Sequence, residues 1–118
     1  MARILIIDDA EPTRQAIRTM LEIAGHEVQE ASGSDEGFSL YKTEKPDLVF
    51  MDLLMPDKNG LDAIKEFKAA DPNVKIIAVS ASGLDYLAWA KEYGAIDSLA
   101  KPFERAQLEQ TVNKALGT

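Results

Sequence analysis

Short apolar runs alternate with amphipathic stretches from one end of this chain to the other. Arg3–Ile7 is nearly continuous in apolar residues, the pattern of a strand buried on both faces. Pro12 stands where a first helical turn tolerates proline. Ala16, Ile17, Met20, Leu21 and Ala24 then recur at helical spacing up to Gly25, which is placed to end that helix. Glu27–Ala31 is a short, polar second strand. A helix from about Ser34 to Lys42 is anchored by Phe38, Leu40 and Tyr41 and broken before Pro46. The third strand is Asp47–Met51, followed by a turn-rich loop at Met55–Gly60. Leu61, Ile64 and Phe67 mark a third helix that stops near Asp71-Pro72. Val74–Val79 is the fourth strand, and a fourth helix lies within Leu84–Tyr93 and ends at Gly94. Ile96–Ala100 is the fifth strand, and Leu108, Val112, Ala115 and Leu116 mark the last helix. No repeat, linker or low-complexity stretch interrupts the alternation, so residues 1–118 read as one α/β domain of (βα)5 type.

Strand polarity predicts the order of the sheet. Arg3–Ile7, Leu48–Met51 and Val74–Val79 are almost wholly apolar and belong in the centre. Glu27–Ala31 and Ile96–Ala100 carry polar residues and read as edges. Right-handed crossovers with helices on both faces then favour a doubly wound, flavodoxin-like parallel sheet of order 2-1-3-4-5. Its winding reverses between the first and third strands, and open α/β sheets bind ligands beside such a reversal, at the carboxyl ends of the strands. Four runs end there in reactive polar residues: Asp8 and Asp9, Asp52, Ser80, and Lys101. Carboxylates, a hydroxyl and an ammonium in one crevice suit a small hard cation and a phosphoryl group, and point to phosphoryl chemistry on an aspartate.

Composition narrows the field. Twenty acidic against thirteen basic residues give a net charge of −7, and no Arg/Lys run occurs, which argues against direct nucleic-acid binding. The absence of cysteine removes disulfides and thiolate metal sites and fits a reducing compartment. No apolar segment is long enough for a signal peptide or a membrane span, so a cytoplasmic protein without membrane insertion is the expectation.

Singly, each polar ending has an ordinary structural explanation. Asp8 or Asp9 could cap the next helix, Asp52 could start a loop, Ser80 could cap the fourth helix, and Lys101 could be a solvated surface lysine. Their placement at the same end of four strands favours a shared site. His26, the only histidine, reads as a surface residue at a strand start, and Ser80 has no other histidine to serve as its base. Glycine-rich phosphate cradles are absent, leaving a nucleotide site without support. Tyr86, Trp89 and Tyr93 on the fourth helix read as packing residues, with an exposed aromatic left open.

The chain resembles a response-regulator receiver domain of two-component signalling, in particular the chemotaxis type. The likeness covers essentially all residues and rests on ILIIDD at Ile4–Asp9, DLVFMDLLMPDKNGL at Asp47–Leu61, VSAS at Val79–Ser82 and GAIDSLAKPF at Gly94–Phe103. The 2-1-3-4-5 order is already known for chemotaxis receivers, so that topology and the resemblance are not independent. The resemblance implies that Asp52 accepts a phosphoryl group from a histidine kinase or histidine phosphotransfer protein. It implies that Asp8, Asp9, Asp52 and the backbone carbonyl of Leu54 hold Mg²⁺, and that Ser80 and Lys101 contact phosphoryl oxygens. It further implies a cis Lys101-Pro102 bond, and a downstream protein target or output domain as partner.

One position departs from the family pattern. Ser98 stands three residues before the lysine, where many receivers carry an inward-turning Tyr or Phe. The chemistry is unaffected, but the aromatic readout is missing, and the loop Ala81–Asp85 with its permissive Gly83 is the expected alternative relay. A phosphorylation-independent binding module of the same fold is the second reading. An aspartyl-phosphate phosphatase is the third, and it is disfavoured because the position two residues after Asp52 is Leu54, which cannot move a proton. Turnover of an external substrate is therefore not expected.

Overall fold

The computed structural model describes residues 2–56, 58–81 and 84–117, so Ser82 and Gly83 of the expected relay loop lie outside the described residues. Five strands and five helices alternate: β1 (Arg3–Ile7), α1 (Glu11–Ile23), β2 (Glu27–Ala31), α2 (Ser34–Glu44), β3 (Leu48–Asp52), α3 (Gly60–Ala70), β4 (Ile76–Ser80), α4 (Leu84–Tyr93), β5 (Asp97–Ala100) and α5 (Arg105–Leu116). The strands form one parallel sheet of order β2-β1-β3-β4-β5, with the polar strands at its edges as expected. No helix among the described residues is long and apolar enough to cross a membrane.

The period-two alternation of a strand divides the core into two layers. Leu5, Ile7, Val49, Met51, Ile76 and Ala78 face Tyr41, Ile64, Phe67 and Leu87 of α2, α3 and α4. Ile4, Ile6, Leu48, Phe50, Ile77 and Val79 face Ile17 and Leu21 of α1 and Leu108 and Val112 of α5. β1, β3 and β4 are covered on both faces, which is why they read as continuous apolar runs. Full burial of one such large side chain contributes about 1.5–3 kcal/mol. Phe67 adds specific geometry, meeting Phe38 edge-on at 5.1 Å and Tyr41 at 5.5 Å.

Element boundaries differ from the sequence reading by one or two residues, each for a local reason. α2 runs on to Glu44 because Lys45 adopts a left-handed conformation (φ 47°) and donates its N–H to the Tyr41 carbonyl. β4 begins at Ile76, not Val74: Asp71 accepts the N–H groups of Asn73 and Val74 and holds that stretch in a turn. β3 starts at Leu48, and Asp47 instead turns its carboxylate onto the Arg3 N–H at 2.9 Å. β5 starts at Asp97, leaving Ile96 exposed before it.

Gly60 anchors the loop beyond β3. A Cβ at this first residue of α3 would stand 2.4 Å from Leu53 Cα and 2.8 Å from the Asp52 carbonyl oxygen. Only glycine lets α3 begin directly against the end of β3. The preceding Asn59 caps the helix by accepting the Leu61 N–H at 2.8 Å.

Candidate functional site

The carboxyl ends of β1, β3, β4 and β5 meet at one edge of the sheet. Asp8 follows β1 and is buried, with Oδ1 accepting the Ala10 N–H at 2.9 Å. It does not cap α1, whose N-cap is Ala10 without a side-chain bond. Asp9 is exposed beside it, and Asp52 is the buried last residue of β3. One carboxylate oxygen from each of Asp8, Asp9 and Asp52 lies within 4.8 Å of the others, an arrangement that could hold a metal ion. Hard oxygen donors in this number suit Mg²⁺, which keeps several of its own waters.

Lys101, just past β5, reaches across to the cluster. Its Nζ donates to Asp8 Oδ2 at 3.1 Å and stands 3.8 Å from Asp52 Oδ2. It is therefore not the solvated surface lysine that its position alone would allow. The Lys101 N–H donates to the Ser80 carbonyl at 2.9 Å, tying the two strand ends together, and the Lys101-Pro102 bond is cis. Ser80 is buried at the end of β4, four residues before the first residue of α4. The Leu54 N–H donates to Asp52 Oδ1 at 3.3 Å, while the Leu54 side chain is largely exposed. All six residues singled out in the sequence thus fall on this edge.

Electrostatics follow from the crowding. Burial, then the negative charge of Asp8, pushes the Asp52 carboxyl up from 3.8 to about 6, against the pull of Lys101. One ammonium does not balance three carboxylates, and a divalent cation would relieve the remainder.

Two supporting residues escaped the sequence reading. Arg14 of α1 donates to the Asp8 carbonyl at 2.8 Å and pairs with Glu30 at 3.1 Å, fixing the turn that presents Asp8. Asn59 donates its side-chain amide to Tyr86 Oη on α4 at 3.1 Å. The Asn-Gly pair at 59–60 was a legible helix-cap signal, whereas the reach to Tyr86 depends on tertiary placement. The environments of His26 and Trp89 are set by tertiary packing. His26 is half-buried and accepts the Ala2 N–H on Nδ1 at 3.1 Å, and burial lowers its pKa. Trp89 is 51% exposed and packs beside Tyr86 at 5.9 Å, so it is the exposed aromatic that the sequence left open on α4.

Comparison with known proteins identifies the family of this fold. Residues 4–113 match the response regulator receiver domain. The chain is 43% identical over 114 residues to chemotaxis protein CheY of Thermotoga maritima, covering 95% of each chain. It is 31% identical over 115 residues to sporulation initiation phosphotransferase F of Bacillus subtilis, covering 97% of this chain and 93% of that one. The crystal structure of a response regulator receiver domain protein from Clostridium thermocellum superposes with a TM-score of 0.93 at 35% identity, over 99% of this chain and 95% of that one. This chain belongs to the response-regulator receiver family of two-component signalling, whose members act as switches.

Proposed function

We propose that the chain is a phosphorylation-activated switch in which Asp52 is the phosphoacceptor. The observation that carries this reading is the meeting of Asp8, Asp9 and Asp52 carboxylates with the Lys101 ammonium at the sheet's carboxyl edge. A carboxylate oxygen of Asp52 attacks the phosphorus of a phosphohistidine on a histidine kinase or histidine phosphotransfer protein. The phosphorus–nitrogen bond breaks, the imidazole leaves, and Asp52 becomes an acyl phosphate. The nucleophile must be ionised, and Lys101 favours that form against the burial that opposes it.

Asp8, Asp9, Asp52 and the Leu54 carbonyl are the groups that would hold Mg²⁺. When bound, the ion neutralises charge between an anionic nucleophile and an anionic phosphoryl group. Ser80 donates a hydrogen bond to one phosphoryl oxygen, and Lys101 pairs with another as a compact point charge. With Leu54 two residues beyond Asp52, no acid–base group stands there to support turnover of external phosphoesters. The output is a changed affinity for a downstream protein or output domain, in a cytoplasmic setting and without nucleic-acid contact by this domain.

Phosphoryl uptake from acetyl phosphate tests the reading. The wild type should gain one phosphoryl group by intact mass with Mg²⁺ present, less with chelator, and Asp52→Asn none. Equal uptake by Asp52→Asn would contradict it, and no uptake by the wild type would favour the phosphorylation-independent module.

A further inference from the structure

Ser98 lies in β5 opposite Ala78 of β4, and it is too small to act as an inward-turning aromatic. A signal formed at Asp52 therefore needs another way to α4. The described residues contain a short series of contacts between the two. Asp52 Oδ1 accepts the Leu54 N–H at 3.3 Å, and Leu54 pairs with Asn59 in an isolated antiparallel bridge. With Asn59 Oδ1 committed to the Leu61 N–H at 2.8 Å, its amide nitrogen is the atom that donates to Tyr86 Oη at 3.1 Å. Tyr86 packs against Trp89, with ring centroids 5.9 Å apart. Gly60, seated against Leu53 with no room for a side chain, keeps this loop close to the end of β3.

We infer that Asn59 and Tyr86 are positioning residues that couple the state of Asp52 to the orientation of α4. This inference rests on the reading of Asp52 as phosphoacceptor. Converting the carboxylate to an acyl phosphate changes the oxygen that accepts the Leu54 N–H, and the Leu54–Asn59 bridge passes the adjustment to the Asn59 amide. The bond from Asn59 to Tyr86 is exposed, so water can replace it and either state is accessible. A bond made in one state and exchanged for water in the other supplies the difference in contacts that a population shift requires. Trp89 is the only tryptophan, it is half-exposed, and it sits one helical turn from Tyr86, so it reports on this end of α4.

The test follows Trp89 emission and phosphoryl uptake together, in the full chain with Mg²⁺ and acetyl phosphate. Tyr86→Phe keeps the ring and removes the hydroxyl, while Asn59→Ser keeps a helix-capping oxygen and removes the amide. Both variants should take up phosphoryl as the wild type does and lose at least half of its emission change. The double variant should lose no more than the larger single loss, because both changes remove one contact. Full emission change in Tyr86→Phe with normal uptake would overturn the inference alone, as would uptake by the wild type with no change at Trp89. Absence of uptake by the wild type would overturn the assignment of Asp52 and the coupling with it.

Discussion

Replacing Asp52 with Asn should stabilise the protein at alkaline pH and leave it nearly unchanged in acid, provided divalent cations are removed. Burial and the charge of Asp8 raise the Asp52 carboxyl from 3.8 to about 6 in the folded state. The folded protein therefore binds this proton more tightly than the unfolded chain does. Stability from the group is complete below the unfolded value of 3.8 and is lost as pH rises through about 6. At 1.36 kcal/mol per pKa unit the whole loss is about 3 kcal/mol. Water at the mouth of the site screens part of that, leaving about 1–2 kcal/mol. For a domain of this size the corresponding change in Tm is about 3–8 °C. Thermal melts of wild type and Asp52→Asn in chelator should therefore separate at about pH 8, with the variant higher, and converge near pH 4. The same separation at both pH values, or a wild type more stable than the variant at pH 8, would refute the claim that the ionised cluster is strained by its own charge.

Two further predictions address the parts of the site that hold a cation and present the loop. Mg²⁺ at a hundredfold excess over its dissociation constant should stabilise the wild type by about 2.7 kcal/mol, and Asp9→Asn far less, read as the rise in Tm on adding the ion. Gly60→Ala should destabilise by about 1–3 kcal/mol in urea denaturation and reduce Mg²⁺ affinity, because its Cβ would collide with Leu53 and push α3 away from β3.

The architecture was legible because burial on both faces leaves a plain mark: β1, β3 and β4 carry unbroken apolar runs, and the polar β2 and β5 lie at the edges. The site was legible for a related reason, since parallel strands gather their carboxyl ends at one edge whatever the intervening helices contain. Boundaries were less so. Asp71 and Lys45 set the ends of their elements through a side-chain turn and a left-handed backbone, neither of which shows in hydrophobic periodicity. Periodicity was equally silent on Trp89. Its exposure follows from which side of α4 the sheet covers, and the contact between Asn59 and Tyr86 joins residues 27 positions apart. Nothing local to His26 shows that its ring accepts the Ala2 N–H, so periodicity leaves it on the surface.

Locating the phosphoryl group after reaction with acetyl phosphate and Mg²⁺ decides whether Asp52 carries it. Peptide mass spectrometry of the wild type should find a hydroxylamine-labile phosphoryl group on Asp52 and none on Ser80. A stable phosphoryl group on Ser80, with Asp52 unmodified, would overturn the assignment of Asp52 as phosphoacceptor.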